Sequence, residues 1–280
     1  DAYHGRYAAT HEFWMSAGVV VDASGDDLYS PDVADIESDE TTDMEAFAAE
    51  GGFTQGCGLF GVGVLVDGGG DDVYTATTHA QGNGAFGIGV LYDRDGNDVY
   101  RLGTTGQGTG YWGLGMLVDG GGDDYYGVYT MGQGAGKPRG HGLLLDLDGH
   151  DTYIGYYNDY QEWLPAPGYN NYHGLGFTWP YSDDEGKPHY MSICQGVGWG
   201  FRGDWMDDGT NRAGGYGALI DLGEGDDQHF ADCMSQGHGF VYGYGFLYDG
   251  GGDDIYRTFW WGPAASPHMG TNLFLEEDGN

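Results

Sequence analysis

Along most of the chain, apolar residues alternate with glycine at a period of two. FGVGVLVD (60–67), FGIGVLYD (86–93) and WGLGMLVD (112–119) are examples. That period predicts pleated strands with one crowded face, and Gly-x-Gly lets another segment approach closely on the opposite face. Each run ends in an Asp/Gly phrase that reads as a turn, and a second strand follows, VYTATTHA in residues 73–80. The one helix signal is DMEAFAAE (43–50), with Gly51 and Gly52 as its stop.

These elements recur. Asp-x-x-Gly-x-Asp-x-Tyr occurs at Asp22–Tyr29, Asp67–Tyr74, Asp93–Tyr100, Asp119–Tyr126, Asp146–Tyr153 and Asp249–Tyr256. A seventh copy, Asp221–Phe230, carries an insertion and places His229 where the Tyr belongs. Gln-Gly-x-Gly follows at Gln55, Gln81, Gln107, Gln133, Gln195 and Gln236, the first four spaced 26 residues apart. One unit is therefore strand, Asp/Gly turn, strand, Gln-Gly turn.

The prediction is an all-β chain, 1–280, forming one repeat domain: a β-solenoid of ~26-residue coils stacked about 4.8 Å apart. A β-propeller, whose blades need about 40 residues, and a meander of hairpins are the alternatives. Stacked coils would align the Gln residues as an amide ladder. Three insertions interrupt the rhythm, at 30–54 (acidic), 154–194 (aromatic and Pro-rich) and 257–270.

Composition sharpens this picture. Gly is 58 of 280 residues without a Gly-X-Y period, which excludes collagen, and 15% aromatics excludes a disordered Gly-rich tail. The chain has 44 acids against 9 Lys and Arg, net −35. Such a surface repels nucleic acid and anionic membranes, and it opposes its own compaction unless salt or bound cations neutralise it. No apolar run is long enough to insert in a membrane, and His11 and Glu12 interrupt any signal-peptide pattern in residues 1–20.

The Asp phrase offers two carboxylates five residues apart on a Gly-rich turn with carbonyls free to bend inward, a donor set for a hard divalent cation. Asp-Gly turns also form without an ion, the Asp bonding its own backbone. In a stack, however, these Asp become a column of like charges, which a cation would relieve.

GGGDDVY (Gly68–Tyr74) resembles the repeats-in-toxin (RTX) calcium motif, Gly-Gly-x-Gly-x-Asp-x-apolar. The resemblance is local, one turn per coil rather than nine-residue tandem repeats. It implies Ca²⁺ between successive turns, with Asp27, Asp72, Asp98, Asp124, Asp151, Asp227 and Asp254 as principal ligands. Asp22, Asp67, Asp93, Asp119, Asp146, Asp221 and Asp249 depart from the Gly of that pattern and stand as additional candidates. The phrase also resembles the FG-GAP calcium loops of integrin-type propellers, although 26 residues are too few for a blade.

The tail FLEEDGN (274–280) is the front half of the Asp phrase, with Glu276 at its first Asp, and the head DAY (1–3) is its back half, with Asp1 at its second. The expectation is head-to-tail association through residues 1–3 and 274–280, between copies or between units of a longer chain.

His189, Cys194, His229, Cys233 and His238 cluster in sequence without a catalytic spacing, and no catalytic residue is assigned. Cys194 and Cys233, close to Gln195 and Gln236, would meet as a disulfide if their coils are neighbours. Tyr157, Trp163, Trp179, Trp260 and Trp261 could stack on sugar rings. The favoured expectation is an extracellular or cell-surface calcium-binding structural protein that stacks into a filament or surface layer. A polysaccharide-binding or polysaccharide-cleaving solenoid is the alternative.

Overall fold

A computed structural model describes residues 1–10, 14–31, 51–155, 192–200 and 213–277, with the backbone of 181–182 and 188–189. The proposed helix (43–50), Tyr157, Trp163 and Trp179 lie outside the described residues. Among the described residues there is no helix.

The chain is a parallel β-solenoid of about eight turns. Each coil gives one strand to each of two eight-stranded sheets. The second sheet holds the Gly-x-Gly strands, Ala17–Val21, Val62–Val66, Ile88–Tyr92, Leu114–Val118, His141–Asp146, Tyr216–Asp221, Tyr244–Asp249 and Thr271–Glu276. The first holds the strands that follow each Asp phrase, such as Val73–Ala80, Val99–Gly106 and Tyr125–Thr130. Pairing is parallel and in repeat register, Tyr74 opposite Tyr100 and Tyr100 opposite Tyr126. That register excludes the hairpin meander, whose neighbours would run antiparallel, and the propeller.

A short third sheet was not foreseen. It runs through Gly58–Leu59, Gly84–Ala85 and Gly110–Tyr111, just after each Gln-Gly turn. It packs against the second sheet so closely that a Cβ on Gly63, Gly89 or Gly115 would overlap a carbonyl of Cys57, Asn83 or Thr109. The alternating glycines are therefore the contact face between two layers of backbone.

The core is narrow. Inward from the second sheet comes a column of Leu65, Leu91, Leu117, Leu144, Leu219 and Leu247. Facing it is a column of Tyr29, Tyr74, Tyr100, Tyr126 and Tyr153, all fully buried, with ring centroids 4.6–4.9 Å apart and nearly parallel. The repeat places one Leu and one Tyr per coil, so identical rings stack at the strand spacing. His229 takes the Tyr place as expected, stacked between Tyr153 and Tyr256 at 4.7 and 4.8 Å.

Two expectations need correction. The buried Gln side chains do not bond to one another. Gln107 Nε2 instead donates to the Tyr100 carbonyl (3.2 Å) and to the Gly127 carbonyl of the next coil (3.0 Å), and Gln81 and Gln133 do the same in theirs. All six Gln have positive φ, so the amide clamps a left-handed corner rather than forming a ladder. Cys194 and Cys233 are separate buried thiols. Cys194 Sγ lies 3.4 Å from Ser235 Oγ and packs beside Leu102 and Val128, whereas Cys233 packs with Met234 and Trp199.

Candidate cation column

The Asp phrases stack at the junction between the two long sheets, and the first and second Asp of each phrase take different roles. The first Asp is well satisfied and, from Asp67 to Asp249, buried. In the second such turn, Asp67 Oδ1 accepts from the Gly69 amide at 2.9 Å, an Asx-type turn, and Oδ2 accepts from the Tyr29 hydroxyl of the coil before. The pattern repeats. Tyr74 donates to Asp93, Tyr100 to Asp119 (2.6 Å), Tyr126 to Asp146 and Tyr153 to Asp221 (2.7 Å). Each Tyr ring is buried in the core, and its hydroxyl ties its coil to the carboxylate of the next.

The second Asp forms a ladder of its own. The amide of Asp72 donates to Asp98 Oδ1 (2.7 Å), that of Asp98 to Asp124 Oδ1 (2.6 Å) and that of Asp124 to Asp151 Oδ1 (2.8 Å). Asp27, Asp151 and Asp227 extend it to Asp254. This engages Oδ1 and leaves the other oxygen: Oδ2 of Asp72, Asp124, Asp151 and Asp227 is buried with no hydrogen-bond partner. A buried carboxylate oxygen without a partner is costly, so a recurring one points to something that meets it.

The two roles converge between coils. Asp27, Asp67 and Asp72 place carboxylate oxygens within 4.8 Å of one another, as do Asp72, Asp93 and Asp98, and Asp98, Asp119 and Asp124. Asp72 and Asp98 thus each belong to two successive triads. Asp1, Asp22 and Asp27 form a like group at one end. At the other, Asp227 and Asp249 meet His229. His229 Nε2 lies 3.2 Å from Asp249 Oδ2, which also accepts from Tyr256 at 2.6 Å. Glu276 pairs opposite Asp249 in register but is exposed.

Electrostatics follows from burial. Desolvation, joined by neighbouring carboxylates, pushes Asp98 up to about 9, Asp124 to about 10 and Asp227 to about 10. Asp72 and Asp93 rise to about 7 for the same leading reason. Asp249 goes the other way: desolvation raises it, but hydrogen bonds from His229 and Tyr256 and the charge of His229 outweigh that and hold it below the ordinary value. The hydrogen bond from Tyr3 likewise lowers Asp22.

The residues fit a hard divalent cation. The repeating triads offer oxygen only, and two carboxylates per coil match one divalent charge per coil. Proton and cation compete for the same oxygens. The described ligand-binding candidates lie apart from this column: Trp260 and Trp261 stack on each other at 4.6 Å, and Trp261 also faces His238.

The Tyr–Asp bond gives a direct test. Tyr100→Phe keeps the ring in the stack and removes only the donor to Asp119. Equilibrium urea unfolding is expected to show a loss of about 2 kcal/mol, the cost of an unmet buried carboxylate oxygen. An unchanged midpoint would show that the hydroxyl contributes nothing.

Searches against family models, curated proteins and solved structures give no match to this chain.

Proposed function

We propose that this chain is a calcium-loaded structural solenoid, working outside the cell or at its surface and stacking end to end into a filament or layer. The observation that carries the reading is the unpartnered buried carboxylate oxygen recurring between Asp triads. Calcium is preferred over magnesium because it accepts irregular, all-oxygen shells, whereas magnesium demands near-ideal octahedra and retains waters. An extracellular setting follows from calcium supply, since modules of this environment work at about 10⁻⁴–10⁻³ M.

End-to-end stacking is supported by register at the two ends of the described rod. Tyr3 pairs with Tyr29 and bonds Asp22, so Asp1 and Tyr3 occupy repeat positions. Glu276 occupies the first-Asp position opposite Asp249. A second copy would thus extend both sheets in phase.

Metal analysis of protein dialysed against calcium tests the reading. The expected result is about one bound calcium per coil, with magnesium unable to replace it. Fewer than one calcium per chain would overturn the column as a cation site. Electron microscopy of the same sample should show rods longer than one solenoid. Single particles at every calcium level would overturn the stacking.

A further inference from the structure

The outer surface of the second sheet is unlike the rest of the molecule. Its strands alternate, with Gly and Leu inward, and their outward residues form three columns along the rod. The central column includes Val64, Val90, Met116, Leu143, Ala218 and Phe246. The flanking columns are aliphatic or aromatic apart from His141 and Thr271. In a chain with 44 acids, the outward positions of these eight strands hold no Asp, Glu, Lys or Arg. The first sheet's outward positions, by contrast, include Arg101.

The face is also open. Ile88, Tyr216, Tyr244 and Leu273 are 41–49% exposed. Eight strands at about 4.8 Å and five residues at about 3.3 Å give a plan area of roughly 600 Å². That reaches the top of the range for the largest apolar patch on an ordinary monomer. Corrugation brings it to the scale of the about 800 Å² per partner that a stable interface buries.

The two long edges of the face differ. Where the strands begin, Trp14, Phe60, Phe86 and Trp112 stack in line at 4.7, 5.0 and 5.9 Å, and the Arg139 guanidinium caps Trp112 at 4.4 Å. Where the strands end, the turns carry a row of exposed acids that includes Asp26, Asp71, Asp123 and Asp226.

We propose that this face is a lateral interface between two copies of the chain, packed sheet on sheet about a two-fold axis parallel to the rod. A partner must be flat, apolar and free of negative charge, and the same face on a second copy meets all three needs. The edges then fix the axis. A two-fold along the strands would set acidic row against acidic row. A two-fold along the rod sets each acidic row beside the partner's aromatic edge, so the rods run parallel and the strands cross the interface antiparallel. Such a pair keeps both rods pointing the same way, so it goes beyond end-to-end stacking without conflicting with it, and it does not require the cation column.

The oligomeric state of the full chain, with calcium present, tests this. Light scattering coupled to size exclusion is expected to give an even number of copies. Met116→Lys, and Val90→Lys as a second variant, should halve that mass with the circular dichroism spectrum and melting temperature retained. Val64→Cys reads the axis, because the central column faces its own counterpart at every height only when the rods are parallel. Because packed sheets stand about 10 Å apart, too far for a disulfide, a bis-maleimide spanning about 8–10 Å should join the two copies into a covalent dimer, and the three native cysteines are buried and do not interfere. A chain that is monomeric at every concentration, or folded Lys variants with undiminished mass, overturns the interface. Dimers that fail to cross-link at Val64→Cys overturn the axis.

Discussion

Chelation of divalent cations is expected to lower the melting temperature by tens of degrees at pH 8 and by far less at pH 5. A ligand that binds only the folded state stabilises by about 2.7 kcal/mol at one hundred times its dissociation constant. Several sites in one column multiply that, and each kcal/mol moves the melting point of a chain this size by about 2–4 °C. The pH dependence comes from the same carboxylates. In the cation-free fold, Asp72 and Asp93 titrate near 7 and Asp98, Asp124 and Asp227 near 9–10, raised first by desolvation. In the unfolded chain an Asp titrates near about 3.9. Between these values the folded state binds more protons, so stability falls as pH rises. Cation-free protein is therefore most stable near pH 4–5 and weakens steadily through pH 9, the reverse of ordinary acid denaturation. Scanning calorimetry with and without chelator across this range checks both parts. A melting temperature indifferent to chelator at pH 8 would remove the cation from the column.

The second large effect is local. Gly108→Ala should destabilise by on the order of 4 kcal/mol, or abolish soluble expression. Gly108 follows Gln107 in the left-handed corner at φ 75°, where a side chain costs about 1–2 kcal/mol. The added methyl would also overlap the Leu143 carbonyl and sit 2.9 Å from the Leu117 amide nitrogen, both rigid backbone, and overpacking adds about 1–3 kcal/mol. Gly5→Ala is the control. Gly5 also has positive φ, 95°, but nothing lies within 4 Å of an added Cβ. It should lose only the backbone part. Equal losses at the two sites, measured by thermal or urea unfolding, would mean that the close approach of layers contributes nothing.

Much of this was legible in the chain because a solenoid writes its geometry as a period. The 26-residue spacing of Gln55 to Gln133 fixed the coil length, and coil length separated the solenoid from the propeller. His229 was readable as a stand-in for Tyr because its phrase was otherwise intact. The hydroxyl of Tyr100 was not readable as a bond to Asp119, because a partner one coil away is defined by stacking rather than by sequence neighbourhood. The Gln clamp was missed for a related reason. Identical residues at a fixed period suggest contact with one another, yet Gln107 turns its amide to the backbone carbonyls of Tyr100 and Gly127 on two successive strands. The glycines of the second sheet were seen as permitting close approach, but the third layer that approaches them consists of two-residue strands with no periodicity of their own. The buried pairing of first and second Asp exceeded the motif, in which only the second was a principal ligand.

Sharing Asp27, Asp72 and Asp98 between successive carboxylate groups has a mechanical meaning. A coil that peels away must break its backbone ladder, its Tyr–Asp bond and the shell around any ion beneath it, and the released carboxylate then weakens the neighbouring shell. Resistance to pulling along the rod is consequently set by the weakest coil and propagates from it. On the proposed reading, a loaded column would make the solenoid a stiff strut and an emptied one a zipper that opens at its weakest coil, so ambient cation would set its tensile strength.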